Sequence, residues 1–139
     1  MSVEVSADKG RLDVGMIHEF LANESYWVRN ISRADVEACI ANSLCFGVYA
    51  DGAQVGFARV VTDYVRFAHI LDVFVLPAFR GRGLSKQLMS SLLAHAALRT
   101  ITKYTLGTAD AQGLYRQFGF DLPANPERQM ELIKSRPLP

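Results

Sequence analysis

The chain opens on a helical period and then changes to a period of two. Ile17, Phe20 and Leu21 recur at helix spacing behind Asp13, whose short carboxylate suits the free N–H groups of a first turn. Ser32-Arg33-Ala34-Asp35 resembles a capping box and predicts a second helix through Cys39 and Ile40. Cys45 to Ala50 then reads as a strand, Asp51-Gly52 as a hairpin turn and Val55 to Thr62 as its partner. Asp63 to Arg66 forms the next turn and leads into a central strand, Phe67 to Val75. That strand is rich in β-branched and aromatic residues and closes just before Pro77. The helical period returns with Leu84, Leu88, Leu92 and Ala96, widened by Met89 and Leu93, a stripe that reads as core. Lys103 to Gly107 predicts a strand, Ala111 to Phe118 a short helix and Met130 to Ile133 a last strand. Strands grouped together with helices around them predict an α/β fold on a mixed central sheet. With no repeat or low-complexity linker, residues 1–139 read as a single domain.

Composition narrows the function classes. A chain of 139 residues buries roughly two-thirds of its unfolded surface, enough for a core. Its formal net charge of +1 argues against a nucleic-acid or acidic-membrane binder, which would carry a basic face or tail. No apolar run approaches the ~20 residues of a membrane span, and the N-terminus lacks a basic start with an apolar core, so the expected location is cytoplasmic. Cys39 and Cys45 fit neither a zinc site nor a redox C-x-x-C and read as buried free thiols; no metal site is expected.

The informative segment is Leu76-Pro77-Ala78-Phe79-Arg80-Gly81-Arg82-Gly83-Leu84-Ser85-Lys86, a basic glycine turn between the central strand and a helix. The glycines allow a tight turn and close approach to the main chain. The first N–H groups of the helix lack internal partners and carry the positive end of its dipole, and Arg80, Arg82 and Lys86 add charge: this is an anion site. It is not a nucleotide-hydrolase loop, because no G-x-x-x-x-G-K-[ST] is present. Nor is it a dinucleotide fingerprint, because Gly81-Arg82-Gly83 is followed by Leu84, Ser85 and Lys86.

Arg80, Gly83 and Ser85 do fit R-x-x-G-x-[small], and Ala111-Gln112-Gly113-Leu114-Tyr115-Arg116-Gln117-Phe118-Gly119-Phe120 fits A-x-x-L-Y-x-x-x-G-F. With both motifs in this order, the chain resembles the GCN5-related N-acetyltransferases over essentially its whole length. It departs at Ser85, where the family most often has Gly or Ala, and at Thr108, where it often has Asn. The resemblance implies a mixed sheet splayed into a V, with helices on both faces, and an acetyl group moved from acetyl-CoA to a primary amine of a small-molecule or peptide acceptor. It implies that Arg80, Gly81, Arg82, Gly83, Leu84, Ser85 and Lys86 hold the pyrophosphate. The pantetheine arm would lie along Val73, Phe74 and Val75.

Acetyl transfer by direct attack needs a deprotonated amine, donors for the developing oxyanion and a proton for the leaving thiolate. The resemblance assigns the last role to Tyr115 and sets a backbone N–H near Val75 against the carbonyl. His69 stands where some relatives carry a catalytic glutamate, and an ordinary imidazole pKa near ~6.5 suits a base; Asp72, Asp63 and a water chain are alternatives. Tyr26, Trp27 and Arg29 between the first helices, with Asp63 and Tyr64 opposite, would form the acceptor side. His18 and His95 fall on predicted helices and read as surface or boundary residues. The rival reading is a non-catalytic acyl-CoA sensor that keeps the turn without the chemistry. Edge strands near the C-terminus leave room for a homodimer.

Overall fold

The computed structural model describes residues 1–136. It separates into two compact units, Met1–Thr108 and a second that begins at Ala109. The first contains β1 (Val3–Ser6), α1 (Val14–Asn23), α2 (Arg33–Ala41), β2 (Leu44–Ala50), β3 (Ala53–Thr62), β4 (Phe67–Val75), α3 (Leu84–Leu93) and β5 (Lys103–Leu106); the second contains α4 (Gln112–Arg116).

The five strands form one sheet in the order β1-β2-β3-β4-β5. All neighbours are antiparallel except β4 and β5, which run parallel. Asp51 and Gly52 both take positive φ, 50° and 87°, the geometry that lets a two-residue turn follow the twist of its strands. At the next hairpin, Asp63 Oδ1 accepts from the N–H groups of Val65, Arg66 and Phe67 at 2.8–3.1 Å. These bonds hold the Asp63 carboxyl below its ordinary pKa.

Helices cover both faces. Asp13 and Ser32 cap α1 and α2 through Met16 N–H and Asp35 N–H, each at 3.1 Å. The buried stripe of α1, Ile17, Phe20 and Leu21, joins Val36 and Ile40 of α2 over Cys45, Phe57 and Phe74 of the sheet. On the other face α3 buries Leu84, Leu88, Met89 and Leu92. Each such side chain contributes about 1.5–3 kcal/mol.

Several expectations are corrected. The helix expected to run to Ala96 ends at Leu93, and the chain re-forms as a 3-10 turn over Ala96–Leu98 that buries Leu98. His95 is therefore a cap, its Nδ1 accepting from Ala97 N–H at 3.1 Å. The helix expected over Ala111 to Phe118 is a five-residue α4. The last strand expected at Met130 to Ile133 does not form: among the described residues the segment pairs with no strand, and Met130, Leu132 and Ile133 are exposed. An alternating pattern becomes a strand only when an edge meets it. β1, in contrast, is too short to read from pattern and owes its structure to pairing with β2. Both cysteines are free; Cys45 is buried, and burial pushes its thiol up to about 11.

Candidate active site

The site starts from an irregularity in β4. Arg59 pairs with Leu71 and Phe57 with Phe74, so Asp72 and Val73 together oppose Ala58. Asp72 takes φ of 54°, the left-handed conformation that a bulge of this type requires. The pairing of β5 with β4 ends at Ile70, two positions before Asp72. From there to Val75 the outer edge of β4 has no strand beside it among the described residues.

Alternation fixes which backbone groups that edge presents. Leu76 N–H donates to Val55 C=O at 2.8 Å, toward β3. Successive strand residues point their backbone groups to opposite edges, so the N–H groups of Val73 and Val75 face the open side. Val75 C=O points the same way and accepts from Arg80 Nε at 2.9 Å. Phe74 turns toward β3 and gives its ring to the core, stacked on Phe20 with centroids 3.9 Å apart.

The open edge runs into the glycine turn. Gly81 and Gly83 take φ of 76° and 77°, and a Cβ at either would meet nothing within 4 Å. The backbone is thus bare in front of α3. Gly83 caps the helix in a left-handed conformation with no side-chain cap, and the first turn carries no acidic residue. The early N–H groups of α3, on Leu84, Ser85 and Lys86, therefore face outward among Arg80, Arg82 and Lys86. Arg82 also rests on Phe79 and reaches Met1 Sδ at 3.5 Å.

Asp72 organises the opposite side of the strand. Its Oδ2 accepts from Arg59 Nε at 2.9 Å and its Oδ1 from Trp27 Nε1 at 2.8 Å. Arg59 Nη1 donates to Ser43 Oγ at 3.0 Å, which donates to Cys39 C=O at 2.6 Å. Trp27 is thereby fixed to the bulge, with Tyr26 edge-on to it at 4.9 Å. Sequence reasoning placed Trp27 and Asp72 near the site and missed Arg59 and Ser43. The readable signal was a matched pair of lone charges, Arg59 and Asp72, each inside an apolar strand, which only mutual pairing makes tolerable.

His69 lies on β4 before the bulge, half-buried. Its Nδ1 is 2.6 Å from Thr105 Oγ1 on β5, and the described residues offer its Nε2 no partner. Burial, and then the positive charge of Arg59, lower its pKa from 6.5. If Nδ1–H donates to Thr105, Nε2 keeps its lone pair for a proton.

Other expected site residues are placed apart from this cluster. Arg29 is exposed on the loop between α1 and α2, and Asp63 and Tyr64 lie beyond Phe67, at the end of β4 remote from the glycine turn. A shallow groove there is lined by Asp63, Arg66, Phe67, Thr102 and Lys103. His18 is structural: its Nε2 is 3.0 Å from Ile31 C=O. In the second unit, Tyr115 is 8% exposed, with Phe120 edge-on at 5.9 Å. Among the described residues, no group of three His, Cys, Asp or Glu side chains could hold a metal, and no helix is long and apolar enough to cross a membrane.

Residues 14–120 match the acetyltransferase (GNAT) family model, which spans the open strand edge, the glycine turn and Tyr115. The chain belongs to the GNAT family. A protein assigned to the same GNAT family, from Xanthomonas campestris pv. campestris, is 46% identical and superposes with a TM-score of 0.93, covering 96% of this chain and 94% of that one. An uncharacterized N-acetyltransferase of Gracilaria tenuistipitata var. liui is 38% identical over 108 residues, 73% of this chain and 59% of that protein. A Clostridium acetobutylicum protein solved with acetyl-CoA shares the fold, with a TM-score of 0.71 at 17% identity over 95% of this chain and 96% of that one. The GNAT chain spans at most 60% of the length of the curated relatives it matches. Its five-stranded sheet, open beside β4, is the splayed sheet that the resemblance led us to expect.

Proposed function

We propose that this chain is an acetyl-CoA-dependent N-acetyltransferase that acetylates a primary amine by direct attack within a ternary complex. The observation that carries this reading is the continuity of two bare backbone surfaces. The open edge of β4 at Val73 and Val75 leads directly to the uncapped start of α3 at Gly83.

The residues fit an acyl-CoA. Side chains at Gly81 and Gly83 would project into the space in front of the helix, and their absence leaves room for a pyrophosphate held by the α3 N–H groups with Arg80, Arg82 and Lys86. The open-edge N–H groups of Val73 and Val75 suit the pantetheine arm and its thioester oxygen, one donor to each. When bound, acetyl-CoA supplies the activated acyl group.

This chain's residues then handle protons and orientation. His69, neutral at pH 7, takes a proton from the ammonium at Nε2. The amine nitrogen forms its bond to the acyl carbon as the carbon–sulfur bond breaks. Tyr115 gives its phenol proton to the departing thiolate, the role its motif implies, and the phenolate is restored by the proton that the acylated nitrogen sheds. Trp27, fixed to Asp72, and Tyr26 against it form the acceptor side.

Calorimetry with acetyl-CoA, CoA and desulfo-CoA, followed by thiol release over an amine panel, tests the proposal. Binding together with thiol release from any amine supports it. Binding without release across the panel favours a sensor, and no binding removes the reading altogether.

A further inference from the structure

The two faces of the sheet are covered unequally. Under α3, Val60, Ala68 and Ile70 are 0–2% exposed, whereas their sequence neighbours Val61 and Phe67, on the other face, are each 41% exposed. The α1–α2 cluster explains the difference, because it covers Cys45, Phe57 and Phe74 and includes neither Val61 nor Phe67. His69 stands opposite Val61 across the strands. Strand alternation puts Phe67, His69 and Leu71 on one face of β4. The bare surface therefore surrounds the proposed base, and Trp27, fixed to Asp72 three positions beyond His69, stands at its other end.

Beside His69, both carboxylate oxygens of Asp72 are committed, to Arg59 and to Trp27. Arg59 is on the same face, opposite Leu71, and Lys103 is in register with Phe67. A second ammonium beside Phe67 would meet both Lys103 and Asp63, which line one groove, so charge gives it no net attraction there. An apolar body would instead cover Val61, Phe67 and Leu71, with the exposed ring of Trp27 as a wall.

We infer that the acceptor is a primary amine with an apolar or aromatic body, seated on the uncovered face of β3 and β4 around His69. The inference rests on the acetyltransferase reading and deepens it by naming the substrate class.

Steady-state thiol release from the full chain with phenethylamine, hexylamine, ethanolamine and spermidine tests it. The first two amines are expected to show kcat/KM at least ten-fold above the other two. Phe67→Ser is expected to raise KM for phenethylamine about ten-fold and Phe67→Leu to restore most of it, with the Kd for acetyl-CoA unchanged in both. Highest kcat/KM for spermidine or ethanolamine overturns the inference while leaving the acetyltransferase reading intact. So does a KM that ignores Phe67→Ser in a variant with native circular dichroism. A dimer in sedimentation that Phe67→Asp converts to monomer also overturns it, by assigning the face to a second copy. Failure to bind acetyl-CoA would remove both readings together.

Discussion

Trp27 and Asp72, 45 positions apart in sequence, are joined by a 2.8 Å hydrogen bond from the indole N–H to a carboxylate oxygen. The bond ties the loop between α1 and α2 to the bulge of β4. Asp72 also neutralises Arg59, whose side chain is only 14% exposed. Asp72→Ala leaves that guanidinium without its partner and is expected to cost about 3 kcal/mol in urea unfolding. Asp72→Asn keeps an acceptor and tolerates the positive φ, so its loss should be smaller. Trp27 is the sole tryptophan, so its fluorescence reports the loop directly. Red-shifted emission and greater acrylamide quenching are expected in Asp72→Ala, and an unchanged spectrum would show that the loop holds its place without this bond.

The glycine turn predicts a salt-dependent loss. Arg80→Glu or Arg82→Glu should raise the Kd for acetyl-CoA about ten-fold or more at low salt, with the gap narrowing at high salt as charges are screened. Gly83→Ala tests the backbone separately. A Cβ at φ of 77° is strained, and the expected result is weaker binding with a stability cost of roughly 1 kcal/mol. Calorimetry over a salt series distinguishes the two effects. Equal affinity in all three variants would reduce the turn to a helix start.

His69 sets a pH dependence with a definite sign. Its pKa in the fold is lowered from 6.5, so the neutral imidazole predominates at pH 7 and above. The kcat/KM is expected to be level there and to fall as pH drops through a value below 6.5. His69→Gln should remove this acid limb and lower kcat by about 100-fold or more. The same shift acts on folding. The unfolded chain takes up the proton first, so stability falls as pH decreases from 6.5 toward the value of His69 in the fold. An unchanged pH profile in His69→Gln would assign the proton to another group.

What was legible in the sequence follows the range of the interactions. Asp13, Ser32 and Asp51-Gly52 act on residues within a few positions, and their caps and turn stand where the local pattern puts them. The glycine turn is equally local. The bulge is not, because nothing in Leu71-Asp72-Val73 announces that two residues will face Ala58 alone. The partners of Asp72 lie 13 and 45 positions away, and Thr105 beside His69 is 36 away; the contacts with Arg59 and Thr105 depend on sheet register and that with Trp27 on how the α1–α2 loop packs. Met130 to Ile133 fails for the complementary reason: a strand pattern needs a partner strand, and among the described residues this segment has none and its apolar side chains are exposed.

Tyr115 offers the simplest separation of binding from chemistry. Tyr115→Phe removes one oxygen and keeps the ring that lies against Phe120. If the phenol protonates the thiolate, kcat should fall about ten-fold or more while the Kd for acetyl-CoA stays constant. A variant as active as the parent would leave the ring a packing role alone.

A last prediction concerns stability away from the site. Tyr49 is 3% exposed, and its hydroxyl is buried with no hydrogen-bond partner among the described residues. Its ring lies across Gly47, where an added Cβ would come within 2.6 Å of that hydroxyl, and beneath Arg11, whose guanidinium carbon is 4.3 Å from the ring centroid. A buried donor left without a partner costs roughly 1–3 kcal/mol. Tyr49→Phe keeps the ring, its contact with Gly47 and the cation above it, so the fold should gain about 1 kcal/mol. Gly47→Ala should lose about 1–3 kcal/mol by forcing the ring to move. Urea unfolding of both variants checks the pair. A loss of stability in Tyr49→Phe would mean that the hydroxyl does find a partner, and the Gly47→Ala result would then show whether the ring itself is as tightly held as its position implies.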